Sequence, residues 1–185
     1  MKKIWSILVL FLILAIVGVS GCIGTNSVQN KTFSSSGISF QYPGNWSDNV
    51  TVNWTSGNAQ NETIGNLGNG NVTLGVLYIN ASSQPLFASY DIPSLGNLAV
   101  LSWKSDGTNT TVLSNTNRQI GNNTVDEIIY TSPNPVSGAV YKYYYVITGE
   151  QGKSIYILRF GAPEADFANY YSQFQGIVNS INITK

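Results

Sequence analysis

The chain has 185 residues, with nine Lys and Arg against nine Asp and Glu, a formal net charge of zero and no histidine. That balance offers no basic surface for nucleic acid or anionic lipid, and without histidine no Ser-His-Asp or Cys-His arrangement can form. Cys22 is the only cysteine, so an internal disulfide is excluded, as is a zinc site built from Cys and His.

Lys2 and Lys3 precede an apolar run from Ile4 to Val19, broken only by Ser6 and Gly18, and Val19-Ser20-Gly21-Cys22 closes it. A positive start, an apolar stretch and small residues at its end make a secretory leader. Small residues directly before a cysteine resemble the lipobox of bacterial and archaeal lipoproteins, in which the leader is cut before the cysteine and the thiol carries lipid. The expectation is a signal peptide over 1–21 and lipid attachment at Cys22. An uncleaved leader serving as the anchor is the alternative, since the run almost reaches the roughly 20 apolar residues of a span. Both place the domain on the outer face of the cell membrane. Cleavage before Cys22 removes Lys2 and Lys3 and leaves seven basic against nine acidic side chains, a net charge of −2.

Ten Asn-x-Ser/Thr triplets follow, at Asn30, Asn45, Asn49, Asn53, Asn61, Asn71, Asn80, Asn109, Asn122 and Asn182. This triplet is the N-glycosylation acceptor, and its density exceeds what the Asn, Ser and Thr content alone would place. Asn45, Asn53, Asn61, Asn71, Asn109 and Asn122 are the expected acceptors. A composition bias toward Asn and Thr is the other explanation.

Residues 22–35 are polar and without hydrophobic period, which predicts a flexible tether, and 36–185 then form one domain. Gly37 to Tyr42 alternates apolar and polar, as a half-buried strand does, and Pro43-Gly44-Asn45 turns the chain. Asn49 to Trp54 alternates again. Ser56 to Gly70, rich in Gly and Asn, is expected to be a loop. Asn71 to Asn80 is a strand with Val72, Leu74, Val76 and Tyr78 on one side, Leu77 and Ile79 on the other.

The period changes at Ile92, Leu95, Leu98, Ala99 and Trp103, which share a helical face. Asp91 is placed to cap that helix, Pro93 suits its first turn and Gly107 its end, while Gly96 interrupts it. Four strands then run in succession: Thr111 to Ile120, polar enough for a sheet edge, Thr124 to Thr131, Ala139 to Thr148 and Lys153 to Phe160. The last two are apolar on both faces, so both faces of the sheet must be covered. A second helix is expected from Pro163, with Glu164 and Asp166 in its first turn and a stripe of Phe167, Tyr170, Phe174, Ile177 and Ile181. The fold class is α+β: a mainly antiparallel β-sheet with helices on both faces.

Gly37-Ile38-Ser39-Phe40-Gln41-Tyr42-Pro43-Gly44-Asn45-Trp46 resembles the glycine–apolar–x–Phe–x–Tyr–Pro–x–x–Trp opening of PsbP-like domains. The element order and the Phe-rich closing helix are similar too, over roughly 33–183. Small secreted lipoproteins with such domains occur in methanogenic archaea, and Gly21-Cys22-Ile23-Gly24 is similar to their start. The resemblance implies a three-layer α/β/α sandwich of the Mog1/PsbP type. It implies no single function: plant members assist photosystem II and influence its manganese, calcium and chloride, and others bind a small GTPase. No ligand residue carries over.

Little chemistry is visible beyond this. Asp126 and Glu127 are neighbours on a strand, so they point to opposite faces and make no acid–base pair together; either could meet Lys142 or Arg159 across the sheet. Asp106-Gly107-Thr108-Asn109 lacks the downstream glutamate of a calcium loop. Tyr141, Tyr143, Tyr144 and Tyr145 with Trp46, Trp54 and Trp103 could line a groove, although tyrosines on a central strand usually belong to the core. The sequence therefore points to a non-catalytic extracellular binding or accessory module, with no catalytic, metal or cofactor site. Its partners would be the membrane, through Cys22, and an envelope protein or glycan, with no nucleic acid. A structural or glycan-binding envelope component is the second reading, and a carboxylate-based hydrolase a distant third.

Overall fold

The computed structural model describes residues 29–48, 50, 61–105, 107, 109–134 and 137–184. The leader, Cys22, the segment 51–60 with Asn53 and Trp54, and most of the strand expected over 49–54 lie outside the described residues.

A hairpin opens the domain. β1 (Lys31–Ser35) pairs antiparallel with β2 (Ile38–Tyr42). Ser36 and Gly37 join them with φ of 48° and 85°, the left-handed pair that a two-residue hairpin demands. The end of the expected tether is therefore a strand. Its sequence, Lys-Thr-Phe-Ser-Ser, has one apolar residue, Phe33, and that ring stacks on Phe40 at 4.8 Å. Near the C-terminus β9 (Asn182–Ile183) adds to the other side of β2.

A six-stranded antiparallel sheet forms the centre. In chain order it contains β3 (Asn61–Asn69), β4 (Val72–Asn80), β5 (Thr111–Ile120), β6 (Asn123–Pro133), β7 (Val140–Glu150) and β8 (Ser154–Pro163). The spatial order is β3-β4-β8-β7-β6-β5. β5 to β8 meander, and the meander closes by setting β8 beside β4. As its polarity implied, β5 is an edge.

Strand β3 corrects the loop expected over 56–70. Its glycines misled because they serve close approach rather than bending. A Cβ on Gly65 would lie 2.5 Å from the Phe33 ring, and a Cβ on Gly68 would run into the Val72 carbonyl. Gly68 also exchanges backbone hydrogen bonds with Ser47, at 2.8 and 2.9 Å. A register shift between Thr63 and Gly65 blurs the alternation further.

Helices and the small sheet cover the two faces. Between β4 and β5 lie a 3-10 turn (Ala81–Ser83), the short α1 (Pro85–Ser89) and α2 (Ile92–Ser105). Asp91 caps α2 as expected, its Oδ1 accepting from Ser94 N at 2.9 Å. Hydrogen bonding from the Ser94 side chain, and then from its backbone N–H, holds the Asp91 carboxyl below its ordinary pKa. After β8 comes α3 (Phe167–Asn179). Pro163 ends β8 instead of opening this helix, and Glu164 to Asp166 make the turn between them.

The strand alternation read from sequence divides the core. On one face Leu74, Val76, Tyr144, Val146, Leu158 and Phe160 pack with Phe40 and Trp46 and with Phe167, Phe174 and Ile177 of α3. On the other, Leu77, Ile79, Ile147, Ile155 and Ile157 meet Ile92, Leu95, Leu98 and Phe87. Beside these, Ile128, Tyr130 and Tyr143 meet Ala99, Val100 and Trp103. Burying the α3 stripe contributes on the order of 10 kcal/mol before entropy is subtracted.

Candidate functional site

The two faces are not equally well covered. Helix α2 lies over the β6–β7 side, where Ala99, Val100 and Trp103 meet Ile128, Tyr130 and Tyr143. Over β4 and β8 the roof is shared between Ile92, Leu95 and Leu98 of α2 and the short α1, five residues long with none fully buried. So short an element cannot close the gap that a 14-residue helix leaves beside it. The result is a cavity of about 350 Å³, within the range of small-molecule sites.

Its floor is Leu77 and Ile79 of β4, Ile155 and Ile157 of β8, and Tyr145 and Ile147 of β7. One wall is Leu95, Leu98, Ala99 and Ser102 of α2. Leu86 and Phe87 of α1 and Asn61 at the start of β3 complete it. Leu86 is 55% exposed, so the rim offers an apolar side chain to solvent. The described lining carries no charge; its polar atoms belong to Asn61, Ser102 and Tyr145.

Asn61 is tied into the roof. The buried Gln84, directly before α1, donates from Nε2 to Asn61 Oδ1 at 3.2 Å. The 3-10 turn before it is fastened by Ala81 N donating to Lys153 O at 2.9 Å. These bonds join β3, α1 and the β7–β8 turn at one end of the cavity. Sequence reasoning passed over this segment. The pattern was there in Gln84-Pro85-Leu86-Phe87, a proline at a first helical position followed by two large apolar residues.

The carboxylates do not assemble into a catalytic pair. Asp126 and Glu127 do point to opposite faces. Asp126 is 1% exposed beneath α2, and its Oδ2 has no hydrogen-bond partner. A Cβ on Gly96 would overlap that carboxyl, which explains the glycine inside α2. Burial, and then the neighbouring Glu127 charge, push the Asp126 pKa up to about 6.

Glu127 pairs across the sheet with Arg118 of β5 at 2.9 Å, rather than with Lys142 or Arg159. It also accepts a hydrogen bond from the Tyr144 hydroxyl. Lys142 lies over the Phe167 ring at 5.2 Å, and Arg159 over the Tyr143 ring at 5.4 Å.

Among the described residues, the aromatic side chains expected to line a groove do not form one. Trp46 and Tyr144 are buried on the α3 side, Trp46 against Phe174 and Tyr144 against Phe160 and Tyr171. Under α2, Trp103 meets Tyr130 and Tyr145 at 4.5 and 5.1 Å, and Tyr141 neighbours Tyr143. Among the described residues no group of three or more His, Cys, Asp or Glu is placed to hold a metal. Of the expected glycosylation sites, Asn45, Asn71, Asn109 and Asn122 are exposed, and Asn61 is half-buried at the cavity.

No family model matches the chain, and no curated protein sequence does. Solved structures do. The solution structure of cyanobacterial PsbP (CyanoP) from Synechocystis sp. PCC 6803 matches with a TM-score of 0.60 and 15% identity, over 90% of this chain and 99% of that one. LpqN of Mycobacterium tuberculosis, described as involved in cell envelope biogenesis, matches with a TM-score of 0.52 and 11% identity, over 90% and 97%. A Bacteroides thetaiotaomicron VPI-5482 protein matches with a TM-score of 0.53 and 18% identity, over 85% of this chain and 49% of that one. At these identities the likeness carries the fold alone, and the domain has a PsbP-like α+β fold built mainly of antiparallel strands.

Proposed function

We propose that this chain is a non-catalytic binding module, held on the outer face of the cell membrane through lipid on Cys22, and serving as an accessory to an envelope partner. Its elements would stack in the α/β/α order of the Mog1/PsbP type. The observation that carries the reading is the uncharged apolar cavity of about 350 Å³ beneath α1 and α2. It has room for a small molecule, and none of its described lining side chains is a carboxylate, an amine or a thiol. The likeness to LpqN, a protein of cell envelope biogenesis, lends the envelope setting support.

The glycan-binding alternative, motivated by the dense Asn-x-Ser/Thr triplets and the tyrosines, has less to stand on, since Tyr144 is packed on one face of the sheet and Tyr141, Tyr143 and Tyr145 on the other. Exposed Asn45, Asn71, Asn109 and Asn122 would make the module a glycoprotein in a host with the machinery.

Mass spectrometry of the native protein tests the location. A chain beginning at a lipid-modified Cys22 in the membrane fraction is the expected result. An intact leader with a free thiol in the cytosol would overturn it.

A further inference from the structure

The cavity's described lining is mostly apolar and carries no charge. Its floor is aliphatic, from Leu77, Ile79, Ile155 and Ile157, and its described lining has no ionised group. The cation nearest along β8 is Arg159, two residues beyond Ile157, but its guanidinium lies over the Tyr143 ring. Tyr143 pairs with Gly161, further from the Ile155 end. The acid closest to the α2 wall is Asp126, pressed against Gly96 and without a partner for Oδ2. A ligand carboxylate drawn inside, past the exposed Leu86 rim, would lose water and gain no counter-ion, and an ammonium there would gain no carboxylate within the lining.

We infer that the cavity takes an uncharged, medium-length aliphatic molecule whose polar group is at most a hydroxyl or similar neutral function. The inference rests on the cavity being the binding site proposed above.

The test uses the neutral fluorophore N-phenyl-1-naphthylamine with the folded protein, and displacement by 1-decanol, decanoate and decylammonium below their micellar concentrations at pH 8. Saturable binding of the fluorophore and displacement by 1-decanol are expected. Losing a full charge's hydration without a partner predicts that both ions need at least about tenfold more. Displacement by decanoate or decylammonium as readily as by 1-decanol would overturn the charge assignment while leaving the site standing.

Absence of saturable fluorophore binding would instead overturn the site itself. Ala99→Phe projects a ring into the cavity and should abolish binding. Leu86→Gln changes a rim residue that is 55% exposed, and should weaken binding several-fold. Unchanged affinity in a folded Leu86→Gln protein would place the fluorophore elsewhere and reject the cavity.

Discussion

Asp126 shows how one side chain can stand against the stability of the fold that buries it. Its folded pKa, about 6, lies above the ordinary 3.8, because burial and the Glu127 charge both disfavour ionisation. The folded state therefore holds the proton more tightly than the unfolded chain does. Below about pH 4 both states are protonated and Asp126 costs nothing. As pH rises through the window from about 4 to about 6 stability falls, and above it the full penalty remains, on the order of 2 to 3 kcal/mol. Asp126→Asn keeps the shape and removes the charge. Thermal melts should find this variant more stable than the parent at pH 7.5, with the gap closing by pH 4. A gap that does not depend on pH would mean that the folded Asp126 carboxyl titrates as it does in the unfolded chain, hydrated or partnered. The sequence showed that Asp126 and Glu127 face opposite ways, because alternation along a strand is local. It could not show that Glu127 meets Arg118, because that contact depends on the β5–β6 register.

Among elements, those legible in the sequence carry their own apolar pattern. Helix α3 carries four residues of the expected stripe, with Ile181 just past its end, β7 and β8 are apolar on both faces, and α2 has a capping aspartate and a helical face. Elements defined by what packs on them were not legible. β1 offers only Phe33, and β3 offers glycines, which read as loop until the Phe33 ring and the Ser47 backbone are known to press against them. This makes Gly65 a test of the pairing between the two sheets. Gly65→Ala puts a methyl where the Phe33 ring edge lies, and such overpacking costs about 1 to 3 kcal/mol. Phe33→Ala loses the stack on Phe40 but clears the space. In urea denaturation the double variant should therefore be more stable than the sum of the two single losses. Simple additivity would show that Phe33 does not rest on β3 in solution.

For the whole molecule, the order of strands was the hidden quantity. Apolar residues on both faces of β4 and β8 say that each is central, but nothing local says that they are neighbours, since 73 in β4 and 161 in β8 meet only after the meander closes. That closure also sets the two ends of the domain apart. The chain enters beside Gly68: Lys31 Nζ donates to Trp46 O at 3.0 Å, and Ser47 pairs with Gly68. The cavity lies by Asn61 and Ile155, seven residues along β3, or about 23 Å at strand rise. It is also on the opposite face of the sheet from β1 and β2. Residues 22–30 reach at most about 30 Å when fully extended. That reach exceeds the separation, so tether length alone permits either orientation; we expect the entry end to sit nearer the bilayer because β1 is the first described strand after Cys22. Leu86→Cys supplies one new thiol at the exposed rim, because Cys22 is the only natural cysteine and is blocked by lipid in this scheme. A fluorophore on that thiol, in protein reconstituted into vesicles, should be quenched by aqueous iodide and not by brominated lipid. Strong quenching by brominated lipid would turn the cavity toward the membrane and make the bilayer itself the source of its ligand.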